Sequence, residues 1–240
     1  MNRTLLIARR ESLAYFRSPL GMSVIAGVLL VDGLLFYWFG LSQRLLSAEV
    51  LFQFFYNTSG VLMVAAVLLS MRVIAEERQT GTFTLLNTSP IREREVVLGK
   101  YLSAYGMIVL LTLLTAYMPA MIFVNGKVSV GHVLVGYLGL LLLGAASTAI
   151  GVFSSALVRS PVVAGIIAAA IHAVMLLFWA VARASEPPLK EILSAMALHH
   201  NNQHPFMNGV LEGRHVAYYL AVTYLFLLAA WRLLEARRWR

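Results

Sequence analysis

The amino-acid sequence predicts an all-α membrane protein with six transmembrane helices. Three observations carry that prediction. Sixty per cent of the residues are hydrophobic and only 12% are charged, with a mean hydropathy of +0.77, whereas soluble domains carry roughly 25% charged residues. Apolar runs recur along the whole chain, each about 20 residues long and so able to cross a hydrocarbon core of roughly 30 Å. The third observation is where the basic residues fall. An even number of spans puts both termini on one side, and if that side is cytoplasmic it holds fourteen of the 19 Lys and Arg residues. The opposite side holds the other five, Arg44, Lys127, Arg183, Lys190 and Arg214. That asymmetry follows the positive-inside rule.

The elements follow in order. The leader "RTLLIARRESLAYFRSPLG" reads as an amphipathic helix within residues 1–19. Arg3, Arg10 and Arg17 share one face, and Leu6, Leu13 and Phe16 form an apolar stripe. Such a helix can lie in the membrane interface with its arginines toward anionic lipid or a partner. The first apolar run starts only after this leader and is too long for a signal-peptide core, so it is expected to stay as an anchor. Spans are expected at about Leu20–Leu41, Ser59–Ala75, Tyr101–Val124, His132–Phe153, Val162–Ala182 and Val216–Leu234. Pro119 should kink the third near its outer end. Gly144, Thr148 and Gly151 in the fourth, and Gly165, Ala169 and Ala173 in the fifth, are small-residue surfaces for close helix packing, as an intramolecular seam or a dimer face.

Composition and motifs also exclude function classes. With no cysteine, disulfides, thiolate nucleophiles and Cys-based zinc or iron–sulfur sites are ruled out. The net charge of +8 reads as membrane topology and not as nucleic-acid binding, because the basic residues flank spans. A phosphate-cradling G-x-x-x-x-G-K-[ST] loop is missing. In "REREVVLGKYL" the Gly99–Lys100 pair is followed by Tyr101, and Arg94 stands where the first glycine belongs. Serine elbows, H-E-x-x-H and EF-hand loops are absent too. The chain is read as a non-enzyme with no nucleotide site or cofactor of its own.

Two polar features stand within or beside the spans. Asp32 lies near the middle of the first and His172 at similar depth in the fifth. They are a candidate intramembrane polar site, the alternative being a helix–helix hydrogen bond with no transport role. The long outer segment, residues 183–215, carries His199, His200 and His204. No further ligand nominates itself, so no metal is assigned, and the segment reads as a solvated loop or a short re-entrant element over the outer mouth.

The most polar stretch is "EERQTGTFTLLNTSPIREREVVLGKYLSA". Glu76 and Glu77 suit the first turn of a short helix, where its dipole favours negative charge. Phe83, Leu86 and Leu85 project from one side, and Ser89–Pro90 ends it. A short amphipathic helix beyond the membrane is suited to another protein's groove. The stretch resembles the cytoplasmic loop between helices two and three of type-2 ABC transporter permeases. The matching positions are Glu76 and Glu77, Gly81 and Thr82, Leu85 and Leu86, Ser89 and Pro90, and Gly99 and Lys100, while Thr84 stands where many members carry Glu. "FSSALVRSPVVAG" is similar to the family's segment between spans four and five. "HPFMNGVLEGRHVAYYLAVT" resembles the approach to span six in gliding-motility-type permeases.

That resemblance implies one permease domain over residues 1–240, with a coupling loop at 76–100. Its coupling helix, about Glu76–Asn87, would dock on a separate ABC ATPase through Glu76, Glu77, Gly81, Thr82, Phe83, Leu85, Leu86 and Pro90. ATP and magnesium would sit on that ATPase, and a second permease copy or a related permease would complete a dimeric transmembrane unit. Export across a bacterial inner membrane is the implied activity. The alternative is a non-transporting scaffold or force-transmitting part of an envelope or gliding-motility complex.

Overall fold

The chain was analysed as a computed structural model, which describes residues 3–42, 46–81, 93–126 and 128–238. All regular structure among them is helical. The elements are α1 (Arg3–Arg17), α2 (Pro19–Leu35) continuing as a π-helix (Phe36–Leu41), α3 (Ser47–Ser70), α4 (Ala75–Gln79), α5 (Glu93–Leu114) and α6 (Tyr117–Asn125). They continue with α7 (Val130–Leu157), α8 (Pro161–Ala184), α9 (Leu189–Met196), α10 (His200–Met207) and α11 (Gly213–Arg238). Among the described residues, six stretches are long and apolar enough to span a membrane: Gly21–Leu41, Ser47–Gln79, Glu93–Phe123, Val130–Leu157, Pro161–Ala184 and Gly213–Ala236.

Two expected boundaries need correction. The second span begins at Ser47, not Ser59. Gln53, Asn57, Thr58 and Ser59 dilute its hydropathy, yet the helix runs through them and buries Phe54, Phe55, Thr58 and Ser59. The third begins at Glu93, so the last residues of the expected loop 76–100 are helical, and Val96, Val97, Gly99 and Lys100 are buried. The proline prediction fares better. Pro119 has no N–H to offer the Thr115 carbonyl, and the helix breaks there into α5 and α6. Met118 N bonds the Thr115 carbonyl instead, in a tighter turn at 3.0 Å.

Helix α7 is the centre, packed by α3, α5, α8, α10 and α11. Its small residues form an intramolecular seam. A Cβ on Gly144 would lie 2.6 Å from Ile108 Cγ2, and one on Gly151 would fall on the Ser70 hydroxyl. On α8 the packed face is Ala164, Ala168 and His172, while Ala169 and Ala173 are exposed. The outer segment is not a solvated loop. It holds α9 and α10, and α10 buries Asn202, Gln203, Phe206 and Met207 against the bundle.

One apolar cluster joins Val73 and Ile74 of the α3–α4 turn, Val97 and Tyr101 of α5, Ala156 of α7, and Ala230 and Leu234 of α11. The end of the last helix, the α4 turn and the start of α5 therefore share one end of the bundle. Helix α1 joins them, because Ile7 fills the space over Gly99, where a Cβ would lie 2.8 Å away. Its stripe of Leu6, Leu13 and Phe16 stays exposed.

Candidate functional site

The chain turns sharply between α3 and α4 at Met71–Ile74, leaving amides without helical partners. Ser155 of α7 supplies the cap. Its hydroxyl accepts from Ile74 N at 3.0 Å and Ala75 N at 2.9 Å, and donates to the Met71 carbonyl at 2.9 Å. Arg78 adds a second tie, donating to the Ala156 carbonyl at 2.7 Å. Helix α4 is thus clamped to the end of α7. It stops after Gln79, where the Thr80 hydroxyl donates to the Glu76 carbonyl at 3.0 Å and Gly81 takes the left-handed φ of +77°. Glycine adopts that conformation without a Cβ penalty.

The two glutamates of the first turn divide their work. Glu76 accepts a fork from Arg72, at 2.9 Å from Nε and 2.5 Å from Nη2. Glu77 turns inward and meets the Lys100 ammonium at 2.8 Å, and Glu11 of α1 reaches the same ammonium at 3.4 Å. The Lys100 side chain is only 2% exposed. A lysine this deep is costly unless paired, so it binds α1, α4 and α5 into one unit. A cavity of about 350 Å³ lies beside it, lined among others by Glu11, Tyr15, Arg72, Glu76 and Glu77. Tyr15 closes one wall by donating to the Leu69 carbonyl at 2.8 Å. Burial, reinforced by Glu11, raises this phenol well above its ordinary range, so it stays a neutral donor.

Of the residues expected to meet an ATPase, Glu76, Glu77 and Gly81 are brought together at the base of the loop. Thr82, Phe83, Leu85, Leu86 and Pro90 lie outside the described residues. The expected continuous helix from Glu76 to Asn87 is corrected, because α4 ends before the left-handed Gly81. Lys100 entered the reading only as a motif match, and Glu11 and Ser155 not at all. Glu11 did leave a signal as the lone acid of an Arg-rich leader.

Asp32 and His172 are not paired. Each is buried with one polar atom lacking a partner, Oδ1 and Nε2 respectively. His172 Nδ1 donates within its own helix to the Ala168 carbonyl at 2.8 Å. The separation has a simple origin, since α2 packs mainly on α1, α3 and α5 and α8 mainly on α7 and α9.

At the opposite end, the Ser59 hydroxyl donates to the Tyr56 carbonyl at 2.7 Å, so its oxygen accepts from His199 Nε2 at 2.6 Å. Burial above all, then His200 and His204, pushes the His199 imidazole down to about 4. The His200 and His204 rings stand 5.9 Å apart. Among the described residues no group of three or more His, Asp or Glu is placed to hold a metal.

Six spanning helices, with α7 at their centre, define the class, a multi-pass integral membrane protein. The family model of the ABC-2 family transporter proteins matches residues 14–234. The chain therefore belongs to that family, as a membrane subunit of an ABC transporter system. Among curated proteins the sequence finds no match.

Proposed function

We propose that this chain is the permease of an ATP-driven exporter, moved by a separate ABC ATPase that docks where α1, α4 and α5 meet. The observation that carries this is Lys100, buried between Glu77 and Glu11. Force applied to the loop after Gly81 passes through α4 to the third span and the leader helix at once, and through Ser155 to the fourth. A bundle linked in this way can be biased between two arrangements by closure of the ATPases. ATP and magnesium belong to the partner. Two permease copies, or this chain with a related permease, complete the pathway. The charge asymmetry of the sequence supports a cytoplasmic position for the termini and the α4 end, in a bacterial inner membrane. The resemblance of the segment before span six supports a place among gliding-motility-type permeases.

The test is reconstitution in liposomes with the ATPase that copurifies with the chain, measuring ATP hydrolysis and solute flux together. Glu77→Lys and Gly81→Val should leave membrane insertion intact while uncoupling or releasing the ATPase. Normal coupled turnover in both variants would sink the assignment of this loop. ATP turnover by the unaltered complex with no transported species would instead favour a force-transmitting scaffold.

A further inference from the structure

Asp32 is the sole aspartate of the chain and the one charged residue of its span. It is 3% exposed, Oδ1 has no hydrogen-bond partner, and among the described residues it makes no ion pair. An isolated ionised carboxylate is among the most expensive groups to bury, and in an apolar bundle such a group stays neutral unless something compensates it.

The surroundings are irregular as well as polar. The regular helix gives way to the π-helix Phe36–Leu41 one turn after Asp32, and π segments recur at functional positions. The break between α5 and α6 comes up against the same turn, because the Tyr117 hydroxyl lies 3.8 Å from where a Cβ on Gly33 would be. Thr115, at that break, stands 3.4 Å from the Tyr137 hydroxyl of α7. The polar groups at this level of the bundle are therefore Tyr117 beside Gly33 and the Thr115–Tyr137 pair at the break. Interrupted helices at membrane depth persist where they are buried in protein or line a cavity, and coupling-ion sites are built from them.

We propose that Asp32 is a proton-binding site inside the bundle. In this arrangement it is a neutral acid. When α2 and the α5–α6 break move apart, water enters, takes the proton from the carboxyl oxygen and leaves a carboxylate, and closing reverses the step. This does not rest on the ATPase reading, which can fail while the site stands.

Because there is one aspartate, cell-free synthesis with ¹³C-labelled aspartate marks a single side-chain carboxyl without any substitution. The ¹³Cγ resonance of the full chain in liposomes should show a neutral acid at neutral pH and move to the carboxylate position as pH rises. A carboxylate signal throughout the accessible range overturns the proposal. So does a neutral signal that persists to the highest pH at which the protein stays folded, for that describes a permanently protonated structural group.

Discussion

The two ends of the bundle are tied by different chemistry. At the end with the termini, α1, α4 and α5 meet on charges, Lys100 with Glu77 and Glu11 and Arg72 with Glu76. At the other end, neutral groups hold α10 down. His199 donates to Ser59 at 2.6 Å, His215 Nδ1 donates to Asn202 Oδ1 at 2.8 Å, and Tyr219 donates to the Leu198 carbonyl at 2.8 Å. The carboxylates of the first end are partly exposed and can exchange partners when another charged surface approaches. The bonds of the second lie between buried groups away from water, so breaking one leaves a buried donor or acceptor to be satisfied within the bundle. Under the proposed function, the charged end is the one moved from outside, and the neutral end shifts only with the bundle itself.

The strongest way to break that contrast is Lys100→Ala. Removing one partner of a buried ion pair costs about 3–5 kcal/mol, and here the same change cuts α1 loose from α4. Thermal unfolding of the purified protein should show the loss. Lys100→Met should recover part of it, since an apolar side chain fills the same space and the two carboxylates can turn toward water. If Lys100→Ala melts with the unaltered protein, charges do not hold this end.

Acid should attack the opposite end. His199 is pushed down from 6.5 to about 4 in the fold, so between those values the unfolded chain binds the extra proton and the native state does not. Its contribution is complete above about pH 6.5 and is lost as pH falls toward 4. At 1.36 kcal/mol per pH unit this amounts to about 3 kcal/mol. Stability measured from pH 7 to 4 should fall, and His199→Phe should flatten that part of the profile. An unchanged slope in the variant would remove His199 as its cause.

Much of the fold was legible because hydropathy is a local property. All six spans, the leader helix and the break near Pro119 follow from composition within a window. What was hidden depends on contacts distant in sequence. Ser59 lies inside a buried helix because His199, 140 positions on, satisfies it. Lys100, the expected end of the loop, lies buried inside a helix, where Glu11 and Glu77 neutralise it. Asp32 was visible as an anomaly, but the α5–α6 break that packs beside it emerges only once those helices are placed. Glu76, Glu77 and Gly81 were legible as a motif, whereas the inward turn of Glu77 was not.

A smaller effect tests the joint between the charged end and the centre. Ser155→Ala leaves the Ile74 and Ala75 amides without their acceptor, and an unsatisfied buried donor costs about 1–3 kcal/mol. The expected value is about 2 kcal/mol, seen as a lower unfolding temperature together with faster hydrogen exchange at residues 73–76. Ser155→Thr keeps the hydroxyl and should restore the slow exchange. If exchange there is unchanged in Ser155→Ala, α4 is clamped by Arg78 alone.

The smallest effect is the most informative about mechanism. Arg72 and Glu76 sit four residues apart with side chains 34% and 45% exposed, so their coupling in the isolated chain should be only about 0.3–0.5 kcal/mol. A double-mutant cycle of Arg72→Ala and Glu76→Ala measures it directly. Repeated on the complex with its ATPase, the same cycle asks whether the pair is recruited. A docked surface that excludes water should strengthen the coupling severalfold, because the effective dielectric falls. Equal values in the two states would mean that the ATPase does not cover this pair, and the docking surface would then lie beyond Gly81. A large coupling already present in the isolated chain would contradict the exposure of both side chains and make the fork a structural fixture of the charged end.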